Sequence, residues 1–554
     1  MTKKRVNELD EFFGVRAPRL GVVTGGSLSR GLDVKLDPET DIERLAVGRY
    51  VVVHGRDRRY FSMITDIGLG NTNPQIASTP PDMSNPFLAD VYTGSTAFGM
   101  MHIAPMLTIG EGGVGPVRTI PPHFQDVLEA TEQDINDVFG DEDETHFNIG
   151  APLELENTQI NVDLKRLTER SVGVFGKSGT GKSFLTRILL AGVIARRAAV
   201  TLIFDMHNDY GWEVFTEDGS KVKGLRQLFP SRVAIFTLDE ESSRRRNATY
   251  DFVVQLAYND IEPEDLAALR QTMDLSDTML DAAYTLRRIW GRGWIQQLLT
   301  AEPEVIEDLL DTTTINGPSL TALIRRLERF KRFGFLVPQT KDDSVQAILN
   351  YLDNGMSIVL EFGRYGNALE AYILVANYLT RRIRQRYVER VEASYGDERQ
   401  LPPQLMITIE EAHKFLDPQI ARQTIFGTIA RELRKYRVTL LVVDQRPSAI
   451  DEEVMSQIGT RVTALLDNER DINAVLMGIS GAQGLREVLS RLDTRQQAIV
   501  LGHAVPMPVV IRTRSYDEAF YAAMGAALEG KKLRRAARKG SRALYGEDEF
   551  EGFD

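Results

Sequence analysis

Two rhythms of apolar residues divide the chain. Over residues 17 to 68, Val, Tyr, Phe and Ile alternate with polar residues in "RLGVVTGG", "GRYVVVHG" and "RRYFSMITDIG", with glycine-rich turns between them. Period-two alternation predicts half-buried strands, and a small β-barrel is the natural way to close several of them. From 69 to 150 the text is rich in Pro, Gly and acid, so further barrel strands such as "ADVYTGSTAFGMM" joined by long loops are expected. Near Asn161 the rhythm changes. "RSVGVFGKSGTGKSFLTRILLAGVIARR" reads as apolar strand, glycine loop and helix; "AVTLIFDMHNDYG" and "SRVAIFTLD" read as buried strands. Strands alternating with helices predict a parallel α/β sheet.

Residues 247 to 334 carry no strand signal. "PEDLAALRQTM", "SDTMLDAAYTLRRIW", "EVIEDLLDT" and "SLTALIRRLERFKRF" repeat apolar residues at three and four, with Ser, Thr or Pro near their starts. A helical bundle inserted into the α/β domain is expected there. Strands resume at "MSIVLEFG", "QLMITIEEAH", "RVTLLVVDQRP", "RVTALLD", "QQAIVLG" and "PMPVVIRTRS". The expected division is a barrel with long loops over 1–150, an α/β core over 151–246 and 335–515, the helical insertion over 247–334, and a C-terminal helix with a charged tail over 516–554.

Composition narrows this picture modestly. A chain of 554 residues exceeds one ordinary core. Hydrophobic residues at 43% and charged residues at 26% are those of a globular protein. The absence of cysteine excludes disulfides, thiolate metal sites and cysteine nucleophiles. No apolar run approaches the roughly 20 residues needed to span a bilayer. The N-terminal "MTKKRVNELDEFFGV" lacks the apolar stretch of a secretion signal, so a cytoplasmic protein without membrane partners is expected. A net charge of −12 argues against a protein that coats nucleic acid with its whole surface, but not against a local basic channel.

The chemistry concentrates in two stretches. Gly176-Lys177-Ser178-Gly179-Thr180-Gly181-Lys182-Ser183 matches G-x-x-x-x-G-K-[ST], between a strand and a helix where the mechanism needs it. Its backbone N–H groups and the helix start would cradle phosphates, so residues 176 to 183 and the following Phe184 are candidate ATP contacts. Lys182 would reach the outer phosphates and Ser183 would ligate Mg²⁺. The second stretch, "LMITIEEAH", is an apolar strand ending in paired acids. Glu410 is expected in the magnesium shell, and Glu411 is expected to orient or deprotonate the attacking water; a plain helix start is the competing reading. Asp205-Met206-His207-Asn208-Asp209 ends another strand. It fits neither a calcium loop, because position twelve is Thr216, nor a zinc site. Asp205 and His207 are expected beside the γ-phosphate, with capping by Asp209 as the alternative. Further on, Arg431, Arg434, Lys435 and Arg437 lie close together before a strand ending in Gln445 and Arg446. Such arginines can reach across a subunit boundary to a neighbour's ATP, and Gln445 can sense the γ-phosphate; a solvated basic helix would look the same.

Together "GKSGTGKS", "DMHNDY", "IEEAHKF", "RELRKYRVTLLVVDQRPS" and "GHAVPMPVVIRTR" resemble the HerA family of hexameric DNA translocases, relatives of the FtsK-like pumps. The resemblance covers nearly the whole chain. It implies a RecA-like P-loop core, an N-terminal HAS-barrel and the helical insertion. It also implies ATP and Mg²⁺ as cofactors, Lys182 and Ser183 on phosphate and magnesium, Glu411 as catalytic acid, Asp205 in the site, Arg431 or Arg434 acting in trans, and Gln445 as sensor. The family usually reads "REGRKYG" and "SQRPS"; here Leu433, Arg437 and Asp444 replace Gly, Gly and Ser, and Asp444 puts a charge beside the sensor. By the same resemblance, six subunits surround duplex DNA in a pore. A partner nuclease, NurA-like or a sirtuin-like effector, docks on the barrel, for DNA-end processing or for antiviral defence. "SSRRRN" and "KVKGLR" are candidates to line the pore, an ordinary solvated face being the alternative. Two other functions remain open on the sequence: a secretion or conjugation motor, and a non-motor ATP-dependent scaffold.

Overall fold

The computed structural model describes residues 17–525, apart from 74, 79–80, 83, 86, 88–90, 93–95, 111, 154, 156–157, 216–218, 220, 480–481 and 494–495. The sequence reading of a charged tail over 526–554 therefore lies outside the described residues. The chain falls into two compact units: residues 1–163, 175–181 and 459–514 form one, and 164–174, 182–458 and 515–554 the other.

The first unit holds a closed barrel. Its strands are β1 (Arg19–Ser27), β2 (Gly31–Leu36), β3 (Tyr50–His54), β4 (Arg59–Asn71), β5 (Ala97–Gly110), β6 (Gly113–Pro116) and β7 (Asp126–Glu129). They pair in the order β2-β1-β7-β3-β4-β5-β6, and an additional β2–β5 pairing closes a ring of six strands with β6 appended. Alternation does the work expected of it: Val51, Val53, Tyr60, Ile64, Ile103 and Val127 point into one apolar core. "GLDVKL", which the sequence reading left unassigned, is β2. In "ADVYTGSTAFGMM" the strand begins only at Ala97, and Val91 and Tyr92 are helical. A helix over Glu132–Phe139 opens with a capping box between Thr131 and Asp134, and Arg59 holds it to β4 through Asp134 and Asp137.

The same unit contains an antiparallel sheet, β8 (His146–Ala151), β9 (Ile160–Asp163), β21 (Thr460–Thr463), β22 (Gln497–Gly502) and β23 (Val509–Thr513), ordered β21-β22-β23-β8-β9. Among them β21, β22 and β23 pair antiparallel, a direction that apolar runs alone do not reveal. Tyr50 joins the two sheets: its buried hydroxyl accepts the Val510 N–H at 3.0 Å.

The second unit is built on a parallel sheet. Its strands are β10 (Val172–Phe175), β11 (Val200–Asp205), β14 (Val233–Thr237), β15 (Phe252–Val253), β18 (Ser357–Glu361), β19 (Leu405–Glu410) and β20 (Val438–Asp444), in the order β15-β14-β18-β11-β19-β20-β10. The pairs among β15, β14, β18, β11, β19 and β20 are parallel. Every residue of β11, β14, β18, β19 and β20 is buried, as a sheet covered on both faces requires. Two short pairs complete the strands: β12 (Val214–Phe215) antiparallel to β13 (Lys221–Val222), and β16 (Leu256–Ala257) parallel to β17 (Leu336–Val337). β15 and β16 fall inside the stretch read as strand-free; two residues are too few for any periodicity to register. Beyond them come helices, including Asp277–Trp290, capped by Ser276, and Gly317–Glu328, capped by Asn316. Trp294 is wholly buried among them, donating its indole N–H to Ile261 O. No helix among the described residues is long and apolar enough to cross a membrane.

Candidate functional site

Parallel register brings acids together at one edge. Asp205 pairs with Glu361 across β11 and β18, and Glu410 pairs with Val443 across β19 and β20, one residue before Asp444. Four carboxyl groups, Asp205, Glu361, Glu410 and Asp444, are therefore buried at the carboxyl ends of neighbouring strands, the edge where ligands of open α/β sheets are received. Lys182 opens the helix Lys182–Arg196 in this unit. Burial lowers the pKa of its ammonium, while the charges of Glu411, Asp444 and Glu410 act to raise it.

Glu410 is buried. Tyr210 donates its hydroxyl to Oε1 at 2.8 Å, and Tyr372 brackets the backbone, accepting from Glu410 N and donating to Glu410 O, both at 3.0 Å. Oε2 is buried with no hydrogen-bond partner. Burial and the charge of Asp205 push the pKa of Glu410 up to about 8. A buried carboxylate oxygen without a partner is of a kind that can hold a cation or its water.

Asp205 is committed differently. Its two oxygens accept the N–H groups of Asp209 and Tyr210, at 2.7 and 2.8 Å, so it ties down the turn that presents Tyr210 to Glu410. The cap in this turn is thus Asp205 itself rather than Asp209. Burial and Glu361 raise its pKa to about 7. His207 is exposed. Glu361 binds Arg246 at 2.6 Å. Arg187, also buried, donates to Asp209 O and lies under the faces of Phe184, Tyr210 and Tyr516.

Glu411 adopts a left-handed backbone, φ 48°. Gln445 donates Nε2 to its Oε1 at 3.2 Å. The Asp444 that departs from the family pattern is not a loose charge: it binds His413 and the Arg446 N–H. Arg431 is half-buried, 3.8 Å from Glu453 of its own chain. The Arg434 side chain lies outside the described residues.

The loop itself belongs to the first unit. Gly179 and Gly181 have φ of 78° and 88°, which other residues rarely adopt, and a Cβ on either would meet open space. Their requirement is therefore conformational rather than one of room. Thr180 caps back onto Lys177 O at 2.7 Å. Lys177, Ser178 and Gly179 are exposed and Gly176 and Thr180 buried; Lys177 is paired with Asp467 at 2.6 Å. Ser183 and Phe184, half-buried, stand in the first turn of the helix that follows, with the Phe184 ring 6.3 Å from that of Tyr516.

The basic clusters considered for a pore are paired within the chain. Arg244 and Arg245 bind Glu240 and Glu241 one turn back, and Arg246 binds Glu361. Lys221, Lys223 and Arg226 bind Glu213, Glu518 and Asp251. Sequence reasoning missed Tyr372, Glu361 and Arg187 as parts of the site. Tyr210 had a signal, its place in "DMHNDY"; Tyr372, inside a 26-residue helix, had none.

Residues 147–383 match the family model described as Helicase HerA, central domain. A DNA double-strand break repair helicase HerA from Pyrococcus furiosus is 24% identical, the alignment covering 90% of this chain and 92% of that protein. Its namesake from Sulfurisphaera tokodaii is 23% identical over 90% of this chain and 93% of its own. Among solved structures, the bacterial conjugative coupling protein TrwBdeltaN70 overlaps 70% of this chain and 92% of its own at 12% identity, with a TM-score of 0.45.

Proposed function

We propose that this chain, whose residues 147–383 match the HerA helicase central domain and which is similar over most of its length to HerA helicases, is an ATP-driven DNA translocase of the repair-helicase type. The observation that carries this reading is the row of buried carboxyl groups, Asp205, Glu361, Glu410 and Asp444, at the carboxyl edge of a parallel sheet, with Glu410 Oε2 left without a hydrogen-bond partner. The loop from Gly176 to Gly181 offers backbone N–H groups to the phosphates of ATP. Lys182 meets the outer phosphates, and Ser183 and Glu410 Oε2 are the groups that would hold magnesium. Magnesium, when bound, neutralises charge on the phosphate oxygens. Glu411 takes the proton of, or orients, the water that attacks in line, and Gln445, now on Glu411 Oε1, is placed to exchange that contact for one at the site. Asp205 acts by holding Tyr210 against Glu410.

Six copies in a ring enclose duplex DNA, with Arg431 or Arg434 of one subunit completing the site of the next. Because Arg431 lies near Glu453 of its own chain, acting in trans requires it to leave that neighbour, and this favours Arg434 as the first to test. The barrel receives a nuclease partner. Lys182→Ala and Glu411→Gln test the site: loss of ATP binding in the first, and retained binding with turnover reduced by about a hundredfold or more in the second, is the expected pair of results. Undiminished hydrolysis by Glu411→Gln refutes the assignment.

A further inference from the structure

Glu411 lies between two residues whose backbones are pinned. Before it, Tyr372 holds both the N–H and the C=O of Glu410. After it, Ala412 N–H donates to Val443 O at 3.3 Å, and His413 N–H donates to Asp444 Oδ2 at 2.7 Å. A left-handed backbone on a residue with a Cβ persists only where its surroundings determine it so fully. The side chain of Asp444 has no exposed surface and spends both oxygens locally, on His413 and on the Arg446 N–H. Hydrogen bonds from His413 hold its pKa down against burial. An ionised carboxylate only accepts, so the His413 Nδ1 that faces Asp444 at 2.9 Å is the donor. That same Nδ1 is 3.7 Å from Glu411 Oε2, while Gln445, next to Asp444 in the chain, donates to Oε1. The end of β20 thus meets Glu411 in two ways: Gln445 donates to its carboxylate, and Asp444 holds the His413 ring with Nδ1 beside Oε2 at 3.7 Å, a contact of charge rather than a hydrogen bond.

We propose that His413, oriented by Asp444, is a positioning residue that fixes the turn and the carboxylate of Glu411. The inference rests on the reading of Glu411 as the hydrolytic carboxylate. Neither His413 nor Asp444 touches the reacting atoms; they act through Glu411. The role belongs to the donor at the Nδ1 position, because that atom alone of the ring is engaged with Asp444. An asparagine amide can place its N–H where Nδ1 lies, and an alanine cannot.

The test uses the full chain, with ATP and magnesium. His413→Ala is expected to lower kcat by about tenfold or more with KM for ATP within about threefold of wild type, and His413→Asn to restore kcat to within about threefold. Wild-type kcat in His413→Ala overturns the proposal, as does His413→Asn turning over as slowly as His413→Ala. A higher KM with unchanged kcat also overturns it, since that describes a binding residue. Should His413→Ala fail to fold, His413→Asn decides alone: near-wild-type turnover supports the proposal and slow turnover contradicts it. Glu411→Gln run alongside separates the two readings. If that variant hydrolyses ATP normally, the hydrolytic assignment falls; if it is inactive while His413→Ala is normal, only the positioning role falls.

Discussion

Glu411 keeps a conformation that glycine would hold more easily, and the strain belongs to the position rather than to its carboxylate. Left-handed backbone costs a residue with a Cβ about 1 kcal/mol or more. Glu411→Gly is therefore expected to be more stable than Glu411→Ala by about 1 kcal/mol, although both lose hydrolysis; thermal unfolding of the two variants checks the order, and alanine proving the more stable removes the strain from the account. A second prediction concerns Glu361. Burial raises its pKa and Arg246 opposes the rise, so the folded state binds its proton more tightly than the unfolded chain does. Such a carboxyl favours folding most below its unfolded pKa and costs stability as pH rises through the folded one. Arg246→Ala raises the folded pKa further. It is expected to destabilise by about 3 kcal/mol at pH 8, by less at pH 5, and to lose that pH dependence when combined with Glu361→Gln; denaturant titrations at the two pH values decide. At this scale the sequence showed the glycine loop and the paired acids because each is contiguous. It could not show that Asp444 serves His413, 31 residues away, because that contact depends on the register of β19 on β20.

Elements were legible where a run was long enough to declare its period. Leu405–Glu410 and Val438–Asp444 are apolar almost throughout and became buried parallel strands; Val51 and Val53 alternate and line a barrel. Phe252–Val253 and Leu256–Ala257 were invisible, since two residues have no period. Strand direction was equally hidden: nothing in "QQAIVLG" or "PMPVVIRTRS" distinguishes an antiparallel partner from a parallel one, because a strand covered on both faces is apolar either way. What ties these late strands to the barrel is polar and specific. Tyr50→Phe removes the acceptor for the Val510 N–H and is expected to cost about 1–3 kcal/mol. Equal stability of the variant in denaturant unfolding contradicts the link.

At the scale of the whole molecule, the net charge of −12 asks the proposed DNA path to be local; Arg246 is committed to the buried Glu361, whereas Arg244 and Arg245 are exposed and held only by surface pairs. The proposed ring makes a further demand: subunits carrying Arg434→Ala, mixed with subunits carrying Glu411→Gln, should recover part of the ATPase that each lacks alone. No recovery in mixed rings counts against a shared site. The central claim is that ATP hydrolysis at Glu411 is coupled to DNA, and steady-state hydrolysis by the purified chain with and without duplex DNA tests it most directly. The account predicts a rate that rises several-fold with duplex DNA in wild type and stays near zero with or without it in Glu411→Gln. A wild-type rate indifferent to duplex DNA at every length and salt concentration, or a Glu411→Gln rate that responds to DNA as wild type does, contradicts it.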